Sequence, residues 1–189
     1  TYNNVELNGT AHTVSGNNTF NSLTIAGTAT VTLGATTQTT GAWINAGTIA
    51  ATTGTIIVTG TGVFTGGGET YNDVELNGTA HTISGDNTFN VLTLPAGTTQ
   101  TITLTAGSIQ TAATMTLDGD ATHTHTILSS TAGTLASLVA SAATYTYCVF
   151  TDIRRSWETL IVHEVLVYNK TLTVGEGAHL RSKTKFRYT

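Results

Sequence analysis

The sequence predicts an all-β fold in which short strands stack coil upon coil, and three observations predict it. Thr accounts for 45 of the 189 residues, beside 20 Gly, one Pro and only 10% charged residues. A 25-residue segment returns almost unchanged 69 residues after its first appearance. Short alternations of apolar and polar residues are broken at close intervals by Gly-containing turn pairs. An ordinary soluble domain carries about 25% charge, so this chain replaces charge with hydroxyls. Thr is β-branched and a weak helix former, and the strong helix formers are not clustered at helical spacing, which excludes a helical bundle. A net charge of -4 with 39% apolar residues excludes charge-driven disorder.

The repeat sets the architecture. Residues 1–25 read TYNNVELNGTAHTVSGNNTFNSLTI and residues 70–94 read TYNDVELNGTAHTISGDNTFNVLTL, with 20 of 25 positions identical. The changes are Asn4/Asp73, Val14/Ile83, Asn17/Asp86, Ser22/Val91 and Ile25/Leu94. The offset of 69 is three times 23, and Leu23, Leu92 and Met115 share one phase of a 23-residue frame, as do Leu138 and Ile161. Ala46 and Glu69 break the pattern. A repeat of this length is the mark of a solenoid. The frame predicts about 23 residues per coil and about six and a half coils in residues 1–150, a stack roughly 30 Å long at the spacing of paired strands.

The local pattern is β in each part. Val5 and Leu7, Val31 and Leu33, Ile102 and Leu104, and Tyr145 and Tyr147 alternate with polar neighbours. Turns are predicted at Asn8-Gly9, Ser15-Gly16, Ala26-Gly27 and Gly66-Gly67-Gly68. Strands of three to six residues between such turns suit about three short faces per coil, each strand pairing with the one above. Thr then bonds to Thr and Asn stacks on Asn from coil to coil, while Val, Ile and Leu fill a narrow interior. The fold read from this is a right-handed parallel β-helix. A β-sandwich or jelly roll is the runner-up, because strand and turn signals are shared between them.

Charge divides the chain. Residues 1–150 hold seven acids and no Lys or Arg, a net -7, while residues 151–189 hold four acids and seven bases, a net +3. The predicted division is a β-helix over residues 1–150 and a basic, strand-rich C-terminal segment over 151–189 that caps the solenoid or contacts another subunit. The body lacks the basic face of a nucleic-acid-binding protein. No apolar run is long enough for a transmembrane helix, so neither nucleic acid nor membrane is expected as a partner. The tail RSKTKFRYT, with Arg181, Lys183, Lys185 and Arg187, reads either as a solvated terminus or as an electrostatic anchor on the acidic body of a neighbouring copy. Cys148 stands alone, so no intrachain disulfide can form. The chain starts at Thr1 and its one Met is Met115, so it is expected to be a processed product or to lack its true N-terminus.

The repeated segment and the phrases AGTTQTITLTAGSIQ, TMTLDG, TILSSTAGTLASL and YCVFTDI resemble Thr/Gly/Asn-rich β-helical virion proteins of tailed bacteriophages. They also look like related bacterial surface repeats. The likeness covers most of residues 1–153. It implies a parallel β-helix, often homotrimeric, in a tail fibre, spike or capsid decoration. Other virion proteins and a host surface glycan are the partners it implies. Residues 154–189 do not match the pattern.

The chemistry-bearing residues are few. In THTHT, strand alternation would put His123 and His125 on one face, about 7 Å apart. They read as surface histidines in a Thr ladder. The resemblance adds a sharper reading, since some phage fibres and spike tips bind metal through such His-x-His pairs. Three copies around a trimer axis would then offer six nitrogens to an octahedral transition metal. No other cofactor is expected. His12 and His81 are repeat equivalents and read as structural. Glycoside hydrolysis needs two carboxyls about 5–9.5 Å apart. Asp118 and Asp120 flank Gly119 in a predicted turn, and Glu6 and Glu75 are repeat equivalents about three coils apart, so no catalytic pair is expected. Asp118-Gly119-Asp120 lacks the longer EF-hand pattern and reads as a turn. Cys148, between Tyr147 and Val149, reads as a buried, inert thiol. The function expected is a non-enzymatic structural part of a phage virion. A bacterial cell-surface adhesin repeat and a polysaccharide-degrading tailspike are the alternatives.

Overall fold

The computed structural model describes the backbone of residues 1–167 and the side chains of residues 1–50 and 53–156. Arg181, Lys183, Lys185 and Arg187, and with them the proposed tail contact, lie outside the described residues. The chain forms β1 (Tyr2–Leu7), β2 (His12–Val14), β3 (Asn18–Ile25), β4 (Thr30–Leu33), β5 (Thr37–Thr40), β6 (Trp43–Asn45), β7 (Thr48–Thr52) and β8 (Thr55–Thr65). It continues through β9 (Thr70–Ser84), β10 (Thr88–Leu94), β11 (Thr101–Leu104), β12 (Ile109–Asp118), β13 (His125–Ser129), β14 (Ala136–Thr151) and β15 (Ile153–Val167). Among the described residues there is no helix.

Every strand pairing in this set is parallel. Sandwiches and jelly rolls are built from antiparallel strands, so the runner-up fold is set aside. The protein is a parallel β-solenoid of about 8 turns. The expected uniform coil of 23 residues is corrected to roughly 20 residues per turn. The step is 18 from Tyr2 to Phe20, 23 from Leu92 to Met115, 28 from Met115 to Ala143 and 17 from Ala136 to Ile153. The strands hold their register while the turns between them change length. The longest coil is the one that contains both the 119–124 and the 130–135 connections. Leu92 and Met115 do pair as their shared phase predicts. Leu138 pairs with Gln110 and Arg155 instead, and Ile161 pairs with Thr144.

The interior follows the predicted alternation in β4 and β11 and departs from it at Tyr147, where Cys148 takes the inward place instead. Val31, Leu33, Ile102 and Leu104 are all buried. One inward ladder runs Val5, Leu23, Trp43, Phe64, Ile83, Leu104. A second runs Gln38, Ile56, Val74, Leu92, Met115, Ala143. Each fully buried large apolar side chain contributes about 1.5–3 kcal/mol. Val5 and Val74 are equivalent in the repeat, yet they stand on different ladders. The repeat therefore encodes a local pairing unit rather than a fixed place around the coil. Within it, Tyr2 pairs with Phe20 and Val5 with Leu23, just as Tyr71 pairs with Phe89 and Val74 with Leu92.

The change of charge after residue 150 does not coincide with a break in the ladder. β15 pairs in parallel with β14 from Ala136–Ile153 onward, adding another coil.

Candidate functional site

The most organised polar chemistry lies inside the solenoid. Asn18 Nδ2 donates to Gln38 Oε1 (3.0 Å) and to the carbonyls of Ser15 and Gly16, while Gln38 Nε2 donates to the Gly16 carbonyl and Thr36 Oγ1. The same network recurs in the second copy. Asn87 Nδ2 donates to Gln110 Oε1 (2.9 Å) and to the carbonyls of Ser84 and Gly85, and Gln110 Nε2 donates to the Gly85 carbonyl and Ser108 Oγ. Gln38 and Gln110 lie outside the repeated segment, so the sequence repeat alone did not reveal them. The signal that could have is a polar residue at an inward position of an alternating strand.

The Asn/Asp exchanges between the copies fall where only an acceptor is used. Asn17 Oδ1 accepts from the Thr37 amide and Asp86 Oδ1 from the Ile109 amide. Asn4 Oδ1 accepts from Asn21 Nδ2 and Asp73 Oδ1 from Asn90 Nδ2. Of the expected coil-to-coil hydroxyl bonds, single contacts join β8 to β9 at Thr61–Thr79 and Ser84–Thr65.

His123 and His125 are not on one face. His123 lies in the turn after β12, and His125 opens β13 with its ring sealed in the core at 0% exposure. The run bends because Asp120 collects the turn. Its carboxylate accepts from the Thr122 amide and hydroxyl, from the His123 amide and Nδ1 (2.8 Å), and from the Gly97 amide one coil away. These bonds, that of the Thr122 hydroxyl foremost and that of His123 next, hold the Asp120 carboxyl well below the usual carboxylate range. His123 Nδ1 faces the Asp120 carboxylate, the kind of partner that orients metal-binding histidines. A metal shared between copies would draw on His123, since His125 is out of reach of any neighbour. Among the described residues, no three His, Cys, Asp or Glu side chains gather to hold an ion.

His81 and His125 are both buried, and no well-formed hydrogen bond reaches either ring nitrogen. Burial lowers both imidazoles below their ordinary pKa. It is opposed by the backbone of Gly62 beside His81, and by the backbone and charge of Asp118 beside His125. His12, equivalent to His81, is only half-buried, and its Nε2 bonds to the Asn8 carbonyl at 2.7 Å.

Glu6 on β1 and Glu75 on β9 are four strand spacings apart, about 19 Å. Asp120 is committed to its turn. Cys148 is 1% exposed, and burial pushes its thiol up to about 12. It points at the carbonyls of Leu117 and Thr146, and the buried His125 is its register partner on the adjacent strand β13. Arg155, buried at 7% exposure, lies 4.2 Å over the Phe150 ring. Tyr147 and Asp152 adopt positive φ, at 48° and 53°, so the chain turns a corner where alternation predicts straight strand. No helix among the described residues is long and apolar enough to cross a membrane.

Compared with protein-family models, with curated proteins and with solved structures, the chain matches none.

Proposed function

We propose that the chain is a non-enzymatic structural part of a bacteriophage virion: a tail fibre, a spike or a capsid decoration. The observation that carries this reading is the unbroken parallel ladder from β1 to β15, with its interior filled by aligned apolar and amide side chains. An inner strand of such a ladder is bonded on both edges and leaves proteases no loose backbone. A stack of this kind is stiff along its axis, because bending it must break many parallel bonds at once. The resemblance of the repeated Thr/Gly/Asn-rich phrases to β-helical virion proteins supplies the particle.

In this reading the chain stands on the outside of the particle as a homotrimer. Its Thr- and Asn-covered faces meet other virion proteins and a host surface glycan. His123 offers one nitrogen per copy to a transition metal on the trimer axis. The acidic body and the basic tail of neighbouring copies attract one another.

Mass spectrometry of purified particles tests the assignment. The expected result is this chain at a fixed copy number per particle, with light scattering of the purified protein giving three copies. Finding the chain only as a slice of a long secreted bacterial surface protein would replace the reading with an adhesin. Clearing of a capsule overlay by the pure protein would replace it with a depolymerase.

A further inference from the structure

One corner of the interior gathers most of the buried polar atoms that the described residues leave unsatisfied. Buried side-chain atoms with no well-formed hydrogen bond occur at Gln100 Oε1, at both ring nitrogens of His125 and at both of His81. Gln100 and His125 stand on successive coils. Thr101 pairs with Thr126, and the Thr126 amide donates to the Gln100 carbonyl, so His125 lies above Gln100. Cys148 follows on the next coil as the register partner of His125. The three side chains are 1%, 0% and 1% exposed, so all of them face the core. His81 belongs to the neighbouring row, where it pairs with Gly62 and Ile102.

A buried polar group without a partner carries its full desolvation cost, and an unfilled ligand site is one of the few reasons a native fold keeps one. Gln100 Nε2 donates to the Pro95 carbonyl at 3.2 Å, so only its oxygen is unused. The Cys148 thiol meets only the carbonyls of Leu117 and Thr146, each at 3.4 Å. The row therefore carries an amide oxygen, an imidazole and a thiol in that order, with the imidazole in the middle unsatisfied on both nitrogens.

We infer that His125 and Cys148 form a buried two-coordinate site for a copper(I) ion, with Gln100 Oε1 accepting from the second ring nitrogen of His125. The ligand set selects the metal. A thiolate and an imidazole suit a soft ion. Zinc takes four ligands in a structural site, and among the described residues no third His, Cys, Asp or Glu joins this pair. One copper(I) ion and one thiolate are together neutral, so they add no net charge to the core, where an uncompensated charge is costly. A metal-bound histidine hands its other N–H to an acceptor, which is the role open to the Gln100 oxygen. A water bridging Gln100 and His125 would satisfy one ring nitrogen and leave the other empty.

Binding exchanges a proton for the ion. The Cys148 S–H bond breaks, an S–Cu bond forms, the proton leaves to solvent, and no electron is transferred. The corner is closed in the folded protein, so the ion enters while the chain folds. The site is separate from the axial metal proposed at His123, and it does not depend on the virion assignment.

The full chain tests this when it is unfolded in denaturant, refolded without oxygen in the presence of copper(I), and passed over an immobilised copper(I) chelator. The expected result is one copper per chain by native mass spectrometry, with X-ray absorption showing one thiolate sulfur and one nitrogen at the metal. Cys148→Ala should lose the ion. Gln100→Leu should weaken its retention by about tenfold, and Gln100→Glu, which keeps an acceptor, should restore it. His123→Ala should hold copper as the parent does. A refolded parent without copper overturns the inference and leaves the corner to water. Copper held equally by Cys148→Ala overturns it, as does copper lost with His123→Ala. If Cys148→Ala does not refold, the absorption spectrum of the parent decides, because copper without a thiolate neighbour overturns the site.

Discussion

Tyr71 stacks on Phe89 with ring centroids 6.0 Å apart and planes at 27°, and its hydroxyl donates to the Gly66 carbonyl at 2.7 Å. The first copy repeats the stack, Tyr2 on Phe20 at 5.5 Å and 23°, without enclosing it. The Tyr71 hydroxyl also accepts from Asn45 Nδ2 and Trp43 Nε1, and burial raises it to about 12.

The two tyrosines should therefore respond differently to loss of the hydroxyl. Tyr71→Phe leaves buried polar atoms of Asn45, Trp43 and Gly66 short of a partner, at a cost of about 1–3 kcal/mol. Tyr2→Phe, at an exposed site, should change stability by less than about 0.5 kcal/mol. Denaturant unfolding of both variants measures the difference. Equal effects would mean that the enclosed hydroxyl contributes nothing.

Donor and acceptor roles predict which amides tolerate a carboxylate. Asp86→Asn and Asn17→Asp keep the one oxygen in use, and each should stay within about 0.5 kcal/mol of the parent. Asn87→Asp removes the donor facing Gln110 Oε1 and the carbonyls of Ser84 and Gly85, and should cost at least about 2 kcal/mol at neutral pH. Thermal melts of the three variants decide it. An Asn87→Asp protein that melts with the parent would remove the internal amide ladder as a source of stability.

Acid should weaken the fold through His81 and His125. Their folded-state pKa values lie below the unfolded value near 6.5 because burial disfavours the cation. The unfolded chain then binds the extra protons. Stability is complete above about pH 6.5 and falls below it, by up to about 1.4 kcal/mol per pH unit for each ring. Asp118 and Asp120 favour the cation at His125, and His123 opposes it, so the slope there is the net of these. Unfolding midpoints between pH 8 and pH 4.5, compared with a His81→Met/His125→Met variant, should show a shallower acid limb in the variant. Parallel curves would clear both rings of the role.

Cys148 should be silent in the native protein. Iodoacetamide at pH 8 is expected to leave it unmodified for hours and to label it fully in denaturant, because the thiol is enclosed and held as the neutral acid. Intact-mass measurement reads the outcome, and rapid native labelling would show that the β13–β14 corner opens.

Much of the fold was legible beforehand. The composition excluded helices, and the alternation at Val31 and Leu33 or at Ile102 and Leu104 named the inward face correctly. The paired step inside the repeated segment was present in the sequence as Tyr2 with Phe20 and Tyr71 with Phe89. The candidate site was less legible. His123 and His125 look like neighbours on one face until Asp120 folds the turn around His123. The inward Gln38 and Gln110 gave no signal through the repeat, because they lie beyond its ends.

The sequence by itself determined that this chain is β, that it stacks in parallel coils, and which apolar residues face inward in short strands such as Thr30–Leu33 and Thr101–Leu104. Those properties follow from side-chain shape and from alternation, which act between near neighbours. Only the tertiary structure decided the length of each coil, the ladder that each strand joins, and whether Val5–Thr13 or its twin Val74–Thr82 lies straight or bent. Those depend on backbone hydrogen bonds between residues 17 to 28 apart in the chain. A strand has the same side chains whether or not another lies beneath it, so the sequence of the stretch could not say which copy would be covered.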